Sequence, residues 1–378
     1  MKLNILDNFK QQLPVATPEL IDDVIVVLGS SRSGSSLLYH LLSQHSDINS
    51  LPGEDIAYFR LHEYRGINAI DQDDRLLDKD INYSALASTI CGNAGKADLT
   101  KEPTVAEKIN RFILQWPTFS CDINLLQSVF ETTSSYEAGL KKLGVNLHLY
   151  ENFLLNRTLD FDEDRFFIEE PPFIFPKSRS FVKKSRNILI LKSSSNAYRM
   201  DHIKKLFPKA KYHYFLINRR PEGTVNGLMD GWNSSGFHSH FVGHVANLNI
   251  KLYPSKNWWK FDLPPGWSHW TNSSLTEVCA FQWASAYSAI LNFLELEKVE
   301  FGKIDYEDFF TPHIALKKIN QFLNSINLAS LPMDILMPET MTTKKPSLDR
   351  WKEKKDLITP IVEQDNIKNI HQRLQEIK

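Results

Sequence analysis

The chain has 378 residues, 42% of them hydrophobic, enough to bury a sizeable core in one large domain or two smaller ones. Its 44 Lys and Arg stand against 45 Asp and Glu, a formal net charge of -1, so nothing global argues for nucleic acid or a membrane surface as partner. Three scattered cysteines, Cys91, Cys121 and Cys279, form no C-x-x-C pair and argue against a disulfide framework or a zinc knuckle.

In chain order, residues 1–14 lack the basic start and apolar stretch of a secretory signal. No apolar run approaches the roughly 20 residues of a membrane span, so a soluble, cytoplasmic setting is expected. Val24-Ile25-Val26-Val27-Leu28 is a β-branched run that reads as a buried strand. A Ser/Gly-rich loop follows over residues 29–36, and then Leu37, Leu38, Leu41 and Leu42 recur at helical spacing. Further strands are expected near 187–191, 212–217 and 299–304, with helical stretches at 202–207, after Pro221, and at about 314–323. Strands alternating with helices imply crossovers and an α/β fold with a mostly parallel central sheet. Such a sheet places ligands at the carboxyl ends of its strands, where Gly29, Lys192 and Arg219 fall. Residues 55–186 and 231–272 read as helical and aromatic-rich insertions, and no linker divides the chain, so one domain over 1–378 is expected.

Gly29-Ser30-Ser31-Arg32-Ser33-Gly34-Ser35-Ser36 sits between strand and helix. Glycines let the backbone curl so that successive N–H groups face an anion, and the helix adds its positive end. The Walker pattern G-x-x-x-x-G-K-[ST] has lysine where this chain has Ser35, which counts against NTP hydrolysis. Arg32 can instead offer a planar, permanently charged fork. An ordinary strand-to-helix turn is the plainer alternative.

With the later segments added, the chain resembles the sulfotransferases that use 3′-phosphoadenosine-5′-phosphosulfate (PAPS). Residues 28–38 look like that family's 5′-phosphosulfate loop in its Arg-Ser-Gly-[Ser/Thr] form. Leu191-Lys192-Ser193 and the stretch 206–211 look like the segment leading into its next strand. Arg219-Arg220-Pro221 stands where the family carries Arg-x-Pro before a 3′-phosphate-binding helix, Tyr306-Glu307-Asp308 matches its Tyr-Glu-Asp strand end, and Arg350-Trp351 resembles a late Arg-Trp element. The resemblance implies a three-layer, P-loop-type fold and in-line transfer of a sulfuryl group to a hydroxyl of a small-molecule, lipid or glycan acceptor, with no metal. One position departs from the pattern. The family has a serine on the 3′-phosphate eight residues past the arginine, and here that residue is Gly227, beside Asn226.

Transfer of this kind needs a base for the acceptor proton and a cation beside the leaving oxygen. The resemblance assigns the cation to Arg32 with Lys192 as second donor, and the base to Glu54 of Gly53-Glu54. His62, His202 and His269 are rivals for the base. Nucleotide contacts are expected from Ser31, Arg32, Ser33, Gly34, Ser35 and Ser36, from Arg219, Asn226 and Gly227, and from Lys345 and Arg350. Lys344 lies in the same late basic segment, and Lys183, Lys184 and Arg186 can add positive potential.

His238, His240 and His244 have no cysteine or carboxylate at ligand spacing and make a poor metal site. The acidic run 162–164 and 169–170 reads as a solvated face. Trp232, Trp258, Trp259, Trp267 and Trp270, five of the eight tryptophans, cluster in the second insertion and are the best hint of an acceptor surface, although tryptophans also fill cores. Two alternatives stand beside this reading: a loop-type, magnesium-dependent kinase of small molecules, and a nucleotide-binding protein without turnover.

Overall fold

Among the described residues the largest sheet has five strands, β1 (Asp23–Leu28), β2 (Ile48–Ser50), β3 (Ile188–Lys192), β4 (Lys211–Asn218) and β5 (Phe301–Asp305). They lie in the order β2-β3-β1-β4-β5, every neighbour parallel. The structure, a computed structural model, describes residues 16–61, 73–76, 81–97, 102–115, 123–144, 179–234, 237, 239–337 and 342–377. The helices that frame the sheet are α1 (Ser35–Ser43), α2 (Met200–Leu206), α3 (Pro221–Trp232), α4 (Leu275–Glu297), α5 (Pro312–Ser325), α6 (Lys355–Val362) and α7 (Asp365–Glu376).

Period-two alternation in the strands sends apolar side chains to both faces, as a doubly covered parallel sheet requires. Ile25, Val27, Ile190, Phe215 and Ile217 pack with Leu38 and Leu42 of α1 and Ile319 and Leu323 of α5. Val24, Val26, Leu28, Leu189, Leu191 and Leu216 pack on the other face with α2, α3, α4, α6 and α7 through Ile203, Leu228, Ile290, Ile358 and Leu374. The result is the three-layer α/β arrangement expected, and each fully buried aliphatic chain contributes roughly 1.5–3 kcal/mol.

Two elements differ from the sequence reading. β2 has only three residues, two of them polar, and is held at the sheet edge partly by Asn49, which exchanges hydrogen bonds with the Val182 backbone at 2.8 and 3.1 Å. The 23-residue α4 starts at a capping box in which Ser274 and Glu277 bond each other's backbone. It is buried around most of its circumference, which erases the one-sided apolar stripe that marks a surface helix. Arg186 is corrected as well: it grips Asp23 at 2.5 and 2.6 Å, at the amino ends of the strands and therefore opposite the loop. Lys183 and Lys184 are exposed on the segment just before it. No helix among the described residues is long and apolar enough to cross a membrane.

Candidate active site

All the strands of the sheet deliver their carboxyl ends to one edge, and the loop after β1 lies at its centre. Arg32 takes φ 64° and Gly34 takes φ 95°, left-handed conformations that curl the chain into the start of α1. Glycine is required at both ends of the curl. A Cβ on Gly34 would lie 2.4 Å from Tyr306 Cδ2, and one on Gly29 would lie 2.7 Å from Ile217 Cγ2 and 2.8 Å from Ser33 Oγ. The first turn of α1, with Ser35 and Ser36, points its positive end into this loop.

Two arginines from different elements meet beside it. Arg219, past the end of β4, donates from Nη1 to the Arg32 carbonyl at 2.7 Å and stacks its guanidinium 3.9 Å from the centre of the Tyr306 ring. Arg32 donates from Nε to the Gly227 carbonyl at 3.3 Å and lies 4.6 Å from the Phe237 ring centre. Burial first, and the Arg219 charge second, lower the Arg32 pKa to about 10; burial also lowers Arg219. Cations that oppose each other's charge in this way are relieved by an anion placed against them.

Gly227 leaves space between the two, and Asn226 is buried next to it on α3. Arg350 reaches the same region, where its charge adds to the burden on Arg32 and Arg219, but its head group is held in an ion pair by Asp230 on α3. Lys354 holds the second oxygen of Asp230 at 2.7 Å. Lys344 and Lys345 lie exposed on the segment before Arg350.

On the other side of the loop, Lys192, the last residue of β3, and Glu54, four residues past the end of β2, form a buried ion pair with side-chain exposures of 6% and 9%. Lys192 Nζ also lies 3.4 Å from Ser36 Oγ. Adjacent parallel strands account for this meeting: Val27 of β1 is level with Lys192, and Ser50 of β2 is level with Ile190. The residues expected to serve as second cationic donor and as base are therefore in direct contact.

Behind the loop lies a group of buried acids that the motifs did not signal. Asp262 accepts from Ser31 Oγ at 2.7 Å and from Tyr198 Oη at 2.8 Å, and burial together with nearby Asp74 pushes its pKa up to about 7. Asp74 accepts from Arg199 Nη2 and Ser195 Oγ, both at 2.8 Å. Asp55 accepts from Asn196 Nδ2 at 2.7 Å, and burial raises it to about 6. The available signal was local: Asp262 stands in the apolar run Trp258-Trp259-Lys260-Phe261-Asp262-Leu263, where a carboxylate has to find partners.

The tryptophans correct another expectation. Trp232, Trp258, Trp259 and Trp267 are buried in the core, and Trp270 stacks on Phe281 at 4.7 Å. Indole N–H donors are satisfied internally, Trp232 by Gln282 and Trp259 by the Asp262 carbonyl, each at 2.9 Å. They are packing residues that fix the insertion. Of the rival bases, His202 bonds Tyr83 Oη at 2.7 Å and His269 is exposed, while His62 lies outside the described residues. His240 is buried and His244 exposed, and His238 lies outside the described residues, as do Cys121 and the acidic run. Among the described residues no group of three or more His, Cys, Asp or Glu side chains could hold a metal ion.

A family model described as "Sulfotransferase family" matches residues 24–249, more than half of the chain. Among solved structures, the sulfotransferase domain from the curacin biosynthetic pathway is 15% identical over 94% of this chain and 98% of its own, with a TM-score of 0.39. A sulfotransferase from Alicyclobacillus acidocaldarius is 12% identical over 94% and 97%, with a TM-score of 0.35. No curated protein matches the chain.

Proposed function

The chain belongs to the sulfotransferase family, and from that premise we propose that it moves a sulfuryl group from PAPS to a hydroxyl of a small-molecule, lipid or glycan acceptor. One observation carries the reading: the 29–36 loop, Arg219 and the Glu54–Lys192 pair converge at the carboxyl ends of four adjacent parallel strands. That edge offers a curled backbone, a helix end and Arg32 for one anionic group, and Arg219, stacked on Tyr306, for a second. The donor, when bound, supplies the activated sulfuryl group and an anionic leaving oxygen.

The protein's part is position and charge. Ser31, Ser33, Gly34, Ser35 and Ser36 belong to the loop that grips the 5′ end. Arg219, with Asn226 and Gly227 on the following helix, faces the 3′-phosphate, and Arg350 and Lys345 flank it. Glu54 takes the proton released by the acceptor hydroxyl as its oxygen bonds sulfur. Lys192 and Arg32 stand by the bridging oxygen, which leaves with the bonding electron pair. In this reading the whole span acts as one domain, and a cytoplasmic setting suits Cys91 and Cys279, both buried free thiols.

Calorimetry of 3′-phosphoadenosine 5′-phosphate against ADP, with and without magnesium, tests the donor. The bisphosphate should bind more tightly and independently of the metal; preference for ADP with magnesium would establish the kinase alternative instead. Against a panel of hydroxyl acceptors, Glu54→Gln should lower turnover by about a hundredfold or more while nucleotide affinity does not fall, because Lys192 is left without its counterion and still favours an anion. An active Glu54→Gln chain moves the base elsewhere.

A further inference from the structure

Resting on that donor reading, we propose that Asp262 is a positioning residue for the 29–36 loop: the second insertion uses it to hold Ser31, and thereby fixes the curl on which anion binding depends. The bond spans 231 positions of sequence, so only the tertiary fold creates it. Asp262 is fully buried, and its carboxylate is divided between two elements, Ser31 of the loop on Oδ1 and Tyr198 of the turn after β3 on Oδ2.

Its own backbone is anchored with unusual thoroughness. Gln282 of α4 donates from Nε2 to the carbonyls of Lys260 and Asp262, both at 2.8 Å, and Trp259 Nε1 donates to the Asp262 carbonyl at 2.9 Å. Between those carbonyls Phe261 takes φ 64°, a left-handed conformation unfavourable for an aromatic residue. The Phe261 ring closes on Gly231 of α3, where an added Cβ would lie 2.4 Å from Cζ. A strained turn locked from α3 and α4 presents one carboxylate to one loop hydroxyl.

The sign of the charge makes the case testable. Asp262 is charged above its raised pKa of about 7, so the titrations are run at about pH 8, where a carboxylate one hydrogen bond from an anion loop opposes anion binding electrostatically. If charge were all that mattered, removing it would tighten binding. If it positions the loop, removing it weakens binding, and an uncharged side chain of the same shape restores it.

The full chain is titrated with 3′-phosphoadenosine 5′-phosphate as wild type, Asp262→Ala, Asp262→Asn, Ser31→Ala and the double alanine variant, with melting temperatures recorded alongside. Asp262→Ala and Ser31→Ala should each weaken binding about tenfold, the loss expected for a hydrogen bond to a charged group. The double variant should be no weaker than the worse single one, because both remove the same bond. Asp262→Asn, whose amide oxygen still accepts from Ser31, should bind within about threefold of wild type.

Equal or tighter binding by Asp262→Ala overturns the proposal, as do additive losses in the double variant. Should Asp262→Ala fail to fold, Ser31→Ala decides, and unchanged affinity there also overturns it. A wild type that binds no bisphosphate overturns the donor reading itself and this inference with it.

Discussion

Replacing Gly227 with serine tests where the 3′-phosphate of the proposed donor sits. The residue lies inside α3, and a Cβ built there would meet Arg32 Cβ at 3.5 Å, Arg219 Nη1 at 3.6 Å and Arg32 Nε at 4.0 Å. All three are ordinary contacts, so the site admits the side chain without rearrangement. Serine is better than glycine in a helix interior by about 0.5 kcal/mol, and the melting temperature should not fall. The new hydroxyl lies against the Arg219 guanidinium and can donate to whatever anion that arginine holds. A charge-assisted hydrogen bond contributes roughly 1.5–3 kcal/mol, so affinity for 3′-phosphoadenosine 5′-phosphate should tighten at least about tenfold.

Calorimetry with AMP in parallel isolates the cause, since AMP lacks the 3′-phosphate and should gain nothing. Equal gains for both ligands, or weaker binding of the bisphosphate, would refute the placement. Gly231→Ser on the same helix is the steric control. Its Cβ would lie 2.4 Å from Phe261 Cζ, and the overpacking should cost about 1–3 kcal/mol in a denaturant melt.

Arg219→Ala should weaken bisphosphate binding roughly ten- to hundredfold, the worth of a charge-assisted contact, and weaken AMP binding by distinctly less, since there only its bond to the Arg32 carbonyl of the loop is lost. Gly34→Ala forces a side chain into φ 95° and against the Tyr306 ring, so it should lose about 1–3 kcal/mol of stability by urea titration and lose nucleotide binding with it. Asp55 and Asp262, with pKa values raised to about 6 and about 7, keep their protons in the folded chain at pH values where an unfolded carboxyl, near 3.9, has lost its own. Unfolding then releases protons, so these two groups make stability fall as pH rises from about 4 to about 7 and level off above that. Urea midpoints across this range should show a smaller fall for Asp262→Asn, and an unchanged slope would contradict the burial argument.

Much of the sheet was legible because its strands announce themselves. The run 24–28 and the stretches near 187–191 and 212–217 are largely apolar on both faces, and each expected strand end lies within one residue of the observed one except where Phe301 starts two residues after the expected Val299. The loop was legible because Gly29 and Gly34 bracket serines between strand and helix. β2 was not, because Ile48-Asn49-Ser50 has neither length nor alternation, and its stability comes from pairing with β3. α4 was missed for the opposite reason: apolar residues on nearly all sides leave no stripe to read. At the site, resemblance supplied Glu54 and Lys192 separately, but their contact spans 138 positions and follows only from strand order. Arg350 was legible as a late basic residue expected to contact the nucleotide; its commitment to Asp230 depends on how the C-terminal segment docks on α3.

The substitution of Ser35 for the Walker lysine has a structural counterpart. A lysine inside a phosphate loop brings its ammonium to the anion from the loop itself. Here an ammonium arrives from the neighbouring strand, with Lys192 Nζ 3.4 Å from Ser36 Oγ at the start of α1. Mounting the cation on β3 rather than in the loop puts it within reach of β2, and Glu54 meets it there. One ammonium is thus shared between a carboxylate and the loop. Removing either charge leaves the other buried without its counterion, so the loss of Lys192 should disturb Glu54 as well as the loop. In the proposed reaction one group lifts a proton from the attacking oxygen while a cation meets the charge on the leaving one, and neighbouring β2 and β3 bring Glu54 and Lys192 to the same edge for those roles.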